Sequence, residues 1–270
     1  MSSLGEYCKT LLDGTDLSEK LYQVDNIDFD LCYEPHESKT PGRPKHLEFS
    51  SVQAKFPKKT TFHLDEKKGV ALHFFANHEL LAIEMFAQAL LLFPEVDTQT
   101  KKSVLATIHD EQKHLEIYIK RMNDFGVEFG DLPVNSFFWE YMPAVKSFEE
   151  FYALMALTFE QANLDFASYY RSIFNEIEDF ESAKIMDTVY KDEISHVARG
   201  VKYIKSKIKD QSLFEYYQEL LPDKISPSRG KGITFDFEGR QLAGLDHDFI
   251  NSLDSYRDDF SVVNRKQWKK

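Results

Sequence analysis

Cysteine is nearly missing from this chain: among 270 residues there are two, Cys8 and Cys32. Two thiols build no disulfide framework, and their scarcity suggests a reducing compartment. Positive charge is also short. Lys and Arg total 33 against 45 Asp and Glu, a net charge of −12, which argues against a surface for nucleic-acid phosphates. The start of the chain, Met1-Ser2-Ser3-Leu4-Gly5-Glu6, lacks the basic and then apolar runs of a signal peptide. No apolar run is free of charge either. The most apolar stretch, 70–93, carries His73, His78, Glu79 and Glu84, so it reads as a buried helix and not as a membrane span. A cytoplasmic protein with no membrane segment is the expectation.

What the chain does have is a pair of matching motifs. Asp110-Glu111-Gln112-Lys113-His114 and Asp192-Glu193-Ile194-Ser195-His196 both read Asp-Glu-x-x-His. Positions i and i+3 share a helix face, so each Glu and its His point the same way. The two motif glutamates lie 193 − 111 = 82 residues apart. Upstream of each stands a Glu in an apolar run: Glu79, at 111 − 79 = 32 residues, and Glu160, at 193 − 160 = 33 residues. Two copies of one unit follow: a helix with Glu, a connection, a helix with Glu-x-x-His.

Periodicity supports the helices. Short helices are expected within 3–23, with Gly14 as a stop, followed by an extended arm over 26–69 punctuated by Pro35, Pro41, Pro44 and Pro57. Four long helices follow at about 65–92, 98–125, 147–176 and 180–208. Leu72, Phe75, Glu79, Ala82, Phe86 and Leu90 stripe the first; Leu105, Ile108, Glu111, Leu115, Tyr118 and Met122 stripe the second. An aromatic segment, 126–146, joins the halves. Short helices near 212–221 and 246–256 flank an irregular stretch, and the tail Arg265–Lys270 is basic and expected to be mobile. The fold class is all-α, a ferritin-like four-helix bundle over 65–209 with an N-terminal arm (1–64) and a helical C-terminal extension (210–270).

Four core-facing carboxylates repel one another unless cations intervene. Glu79, Glu111, His114, Glu160, Glu193 and His196 are therefore the candidate metal ligands, a set suited to iron or manganese. Glu84 is the alternative to Glu79. It points about 140° away on the helix, and the repeat spacing favours Glu79. Asp110 and Asp192 are candidates to accept the free N–H of a ligating imidazole. Tyr118, four residues after His114, is a candidate hydrogen-bond or redox partner or an ordinary core tyrosine. Gly200, four after His196, leaves room for a substrate or a neighbouring backbone. His78 and His109 are expected to be structural. Arg229 and Arg240 mark a C-terminal loop readable as a lid over a substrate carboxylate or phosphate, with surface salt bridges the more ordinary reading.

On these residues the chain resembles the ferritin-like superfamily of dinuclear iron proteins. More closely, it is similar to the domain of unknown function 455 family. The likeness runs through Pro41-Gly42-Arg43-Pro44, Glu79 to Glu84, Asp110 to His114, Gly130-Asp131-Leu132-Pro133, Leu164-Asp165, Asp192-Glu193 with His196-Val197-Ala198, and Gly239 to Leu245. It implies a four-helix core holding two iron ions, with manganese or a mixed manganese–iron pair also suited. A more distant likeness is to tRNA hydroxylases, against which the acidic charge argues. The expected activity is a dioxygen-dependent oxidase or hydroxylase acting on a small molecule, with no catalytic residue beyond the ligands. Its electron donor is unidentified and a homodimer is open to it. The rivals are a ferroxidase or metal-handling protein and a scaffold with a vestigial site.

Overall fold

In the computed structural model, residues 2–24 and 26–258 are described; the basic tail Arg265–Lys270 lies outside them. The protein is all-α. Strand among the described residues is one parallel pair, β1 (Ser2–Ser3) with β2 (Ile27–Asp28). The chain forms two compact units, Met1–Pro143 and Ala144–Lys270. No helix among the described residues is long and apolar enough to cross a membrane.

The first unit opens with α1 (Leu4–Asp13) and α2 (Leu17–Lys20), each begun by a capping box, Ser3 with Glu6 and Asp16 with Glu19. Leu4, Tyr7, Cys8, Leu11 and Leu12 of α1 are buried, each contributing about 1.5–3 kcal/mol relative to exposure. The hairpin α3 (Asp65–Leu92) and α4 (Thr98–Asp124) follows. Its short connection forces the two antiparallel. Asp97 caps α4, accepting the Thr100 N–H at 3.0 Å, and Gly126 closes it in the left-handed region at φ 72°.

The sequence pattern predicts one buried stripe on α3, yet α3 is buried on most of its circumference. The reason lies upstream. Besides α4, both α1 and α2 pack on α3, and the arm runs along its C-terminal half. Tyr33 Oη donates to the Leu90 carbonyl (2.9 Å), the His36 N–H to that of Leu91 (3.0 Å), and the Ser38 N–H to Gln88 Oε1 (3.1 Å). Leu47 and Phe62 of the arm are buried; Leu31 and Phe56 are exposed. The segment after α4 packs back on α3 and the arm. Trp139 Nε1 donates to the Lys39 carbonyl at 2.9 Å, Asn77 Nδ2 to that of Asn135 at 3.2 Å, and the Gly130 N–H to His73 Nε2 at 3.0 Å.

The second unit contains α5 (Phe148–Leu154), a π-helical turn (Met155–Glu160), α6 (Gln161–Glu176), α7 (Phe180–Lys205), α8 (Leu213–Leu220), α9 (Phe237–Leu242) and α10 (His247–Ser255). The uniform helix expected over 147–176 is thus a rod in three parts. The α6–α7 turn takes Glu178 through φ 61°. Helix α9 arises where an irregular stretch is expected, because Asp236 caps it by accepting the Gly239 N–H at 3.1 Å.

His73 gives the first unit a pH response. Burial pushes its imidazole down to about 4, and its Nε2 must stay unprotonated to accept from Gly130. Unfolded, the ring titrates near its ordinary value of about 6.5. Between those two values the unfolded chain takes up a proton that the native ring refuses, so this contribution is complete above about 6.5 and is lost as pH falls toward about 4. Urea midpoints measured from pH 7.5 to 4.5 are expected to fall, and His73→Gln is expected to flatten part of that slope.

Candidate metal centre

In the first unit α3 carries Glu79 and α4 carries Glu111 and His114, all three buried. One ligand atom from each lies within 4.8 Å of the others. His114 Nδ1 is 3.0 Å from Glu111 Oε2, the reach of an i, i+3 pair on one helix. In the second unit Glu160 closes the π-helical turn, and α7 carries Glu193 and His196. These three are also buried and also offer ligand atoms within 4.8 Å of one another. His196 Nδ1 is 3.3 Å from Glu193 Oε2 and 3.5 Å from Glu160 Oε2. Asn163, one turn beyond Glu160, donates to Glu193 Oε1 at 2.6 Å.

Each unit thus presents two carboxylates and one imidazole, oxygen and nitrogen donors of the kind that borderline divalent metals take. Two donors bound cis to one ion at about 2.1 Å each sit about 3 Å apart, which the imidazole–carboxylate separations match. The formal charges point the same way. One imidazole can supply at most one positive charge against two carboxylates, so each trio remains net negative and suits a cation.

Asp110 and Asp192 are half-buried beside the motif glutamates. Tyr118 is buried, its ring 5.6 Å from that of Phe75, and Phe75 lies one turn before Glu79. His109 packs edge-on against Tyr7 with ring centres 6.3 Å apart. His78 packs on Phe138 at 4.8 Å.

Glu84 has a different task from Glu79. It is fully buried and gripped by Arg43, whose Nε and Nη2 donate to it at 3.0 and 2.6 Å, with Lys20 Nζ 3.3 Å away. Lys20 also donates to the carbonyls of Leu11 and Leu12 at 2.7 and 3.0 Å, at the C-terminal end of α1. Burial lowers the pKa of this lysine while Glu84 pulls it up.

The second unit repeats the device. Asp165 follows Glu160 by five residues, as Glu84 follows Glu79. It binds Arg240 through two bonds of 2.6 and 2.8 Å and accepts the N–H groups of Gly232 and Asp236, each at 2.7 Å. Arg240 stacks on Phe235 with its guanidinium 3.9 Å from the ring centre. The surface salt bridge or lid expected of Arg240 is therefore corrected: the side chain is fully buried and already occupied by a carboxylate of its own unit. Arg229 is exposed.

Sequence reasoning misses the π-helical turn as well. Thr158 Oγ1 donates to the Ala153 carbonyl, five residues back, at 2.8 Å and meets Tyr217 Oη at 2.9 Å. A buried hydroxyl in an apolar run is the one trace of this in the sequence. Gly200 also resolves. A Cβ there would collide with the Cβ of Ala156 in the π-helical turn, so the missing side chain admits a neighbouring segment and leaves no room for substrate.

These features define an all-helical protein with buried carboxylate–histidine clusters able to hold metal. Residues 11–251 match the model of the DUF455 family, described as "Protein of unknown function (DUF455)", and the chain belongs to that family. It is also similar to an uncharacterized protein of Haemophilus influenzae, at 25% identity over 173 residues. That match covers 60% of this chain and 60% of the relative. No solved structure matches the chain.

Arg240→Met strands a buried carboxylate and is expected to cost about 3–5 kcal/mol in urea unfolding. Arg171→Ala, which removes the half-exposed 2.6 Å pair with Asp187, is expected to cost under about 1 kcal/mol. Gly200→Ala is expected to cost about 1–3 kcal/mol by overpacking, read as a lowered melting temperature, with Gly200→Val lower still.

Proposed function

We propose that this is a cytoplasmic dinuclear iron protein of ferritin-like helical fold, a dioxygen-dependent oxidase or hydroxylase. Glu79, Glu111, His114, Glu160, Glu193 and His196 would hold two iron ions, with manganese or a mixed pair equally suited to the donors. One observation carries the reading. The same buried set of two carboxylates and an imidazole occurs in each unit, at a sequence spacing of 32 residues in one and 33 in the other.

When bound, ferrous ions would supply dioxygen activation and thereby oxidation of a small organic substrate. The chain's own residues orient and insulate. Asn163 fixes the carboxylate plane of Glu193 through its 2.6 Å bond. The π-helical turn sets the direction in which Glu160 leaves its helix, and such turns recur at functional sites. The Arg43–Glu84 and Arg240–Asp165 braces hold each glutamate-bearing helix from its opposite side. Buried apolar side chains flanking the ligands, Leu115 and Val197 among them, keep bulk water from the donors.

Metal analysis of protein from iron-sufficient cells tests this. About two metal ions per chain are expected. Glu193→Ala and Glu79→Gln should each lower that number, whereas a loss of metal on Glu84→Gln equal to that on Glu79→Gln would displace Glu79 as the ligand. Ferrous iron or manganese(II) should raise the melting temperature of metal-stripped protein. Metal-free protein indifferent to both ions would overturn the proposal. Aerobic uptake far beyond two irons would convert it to iron storage.

A further inference from the structure

Within the first unit, three segments that are distant in sequence enclose a groove of about 640 Å³. Its volume falls in the range of small-molecule sites, about 300–1,000 Å³. Helix α3 supplies Phe74 and His78, one turn apart. The arm supplies Phe49 and Gln53, and the segment after α4 supplies Asn135 and Phe137. The walls are tied together: Phe49 bridges to Val134, and the Ser50 N–H donates to the Val134 carbonyl at 3.0 Å. The groove is therefore a built feature of the unit and not a gap between loose loops.

Its chemistry is selective. Three phenylalanine rings, Phe49, Phe74 and Phe137, stand among a largely polar lining, and they favour a flat partner. His78 faces the groove with its ring stacked on Phe138, and neither of its ring nitrogens has a hydrogen-bond partner among the described residues. Glu140, an exposed residue that accepts from Ser136 Oγ at 2.8 Å, is the one lining side chain that is formally charged. Among the described residues no lysine or arginine lines the groove. An anion would meet a carboxylate and no counter-charge from the lining, whereas a cation gains Glu140 and the rings of Phe74 and Phe137, the Phe49 ring being already paired with Arg43.

We infer that this groove binds a small aromatic molecule that is neutral or carries an amine, with His78 hydrogen-bonding its polar group and Glu140 setting the preference for positive charge. The site needs no metal. It uses the face of α3 adjoining the one that bears Glu79, since consecutive helical residues diverge by about 100°.

Ligand-observed NMR on the full chain, with chelator present so that the metal reading is not at stake, tests the inference with benzylamine, benzyl alcohol and benzoate. Benzylamine is expected to bind best, benzyl alcohol next, and benzoate at least about tenfold more weakly than the amine. Glu140→Gln, a surface change that leaves the core alone, should bring benzylamine to the level of benzyl alcohol. Phe74→Ala should remove one ring face from the lining and weaken all three signals. Binding of none of the probes, benzoate matching benzylamine, or an amine preference surviving Glu140→Gln would each overturn the proposal.

Discussion

A carboxylate inside a helical core has to be met by positive charge or by hydrogen-bond donors, because the bare anion costs several kcal/mol to bury. This chain buries Glu79, Glu84, Glu111, Glu160, Asp165 and Glu193 in or beside its long helices, and much of its architecture answers that requirement. Glu84 and Asp165 are met by arginines from outside the helical hairpins. The remaining four face imidazoles and an asparagine, in trios whose formal charge favours a cation. The two kinds of answer alternate along the glutamate-bearing helices, five residues apart, so one side of the helix faces the trio and the other is braced.

That division explains why the flanking segments are long. Arg43 lies 41 residues before Glu84, and Arg240 lies 75 residues after Asp165. The arm and the C-terminal segment do more than cover apolar surface, since each delivers one guanidinium to one buried acid. Lys20 extends the scheme. Its ammonium joins Glu84 to the carbonyl end of α1, where the helix dipole favours a cation.

The long helices, and the burial of each Glu-x-x-His with its upstream Glu, were legible in sequence because both follow local rules. Apolar residues recur at helical spacing, and Glu-x-x-His places two donors on one face. The matched spacing of the two motifs was legible because spacing is arithmetic. The braces were not, since nothing local tells Arg240 that its partner is Asp165, and a buried arginine resembles a surface one until the fold is known. The guanidinium partner of Glu84 could be seen only once Arg43 arrived. The π-helical turn was hidden for another reason: it has no periodicity of its own, and its stabilising contact, Thr158 with Tyr217, spans 59 residues. Helix α9 was missed because six residues offer too little pattern, although Asp236 stood at its cap.

The π-helical turn also limits how far the two copies can be treated as equals. A rod with an added residue in one turn is out of phase by about 100° on either side of it. The corresponding helix of the first unit, α3, runs from Asp65 to Leu92 without such a turn. The halves therefore share donors but not a rotational register, and a symmetrised protein made by grafting one glutamate-bearing helix in place of the other would aim part of the grafted surface the wrong way.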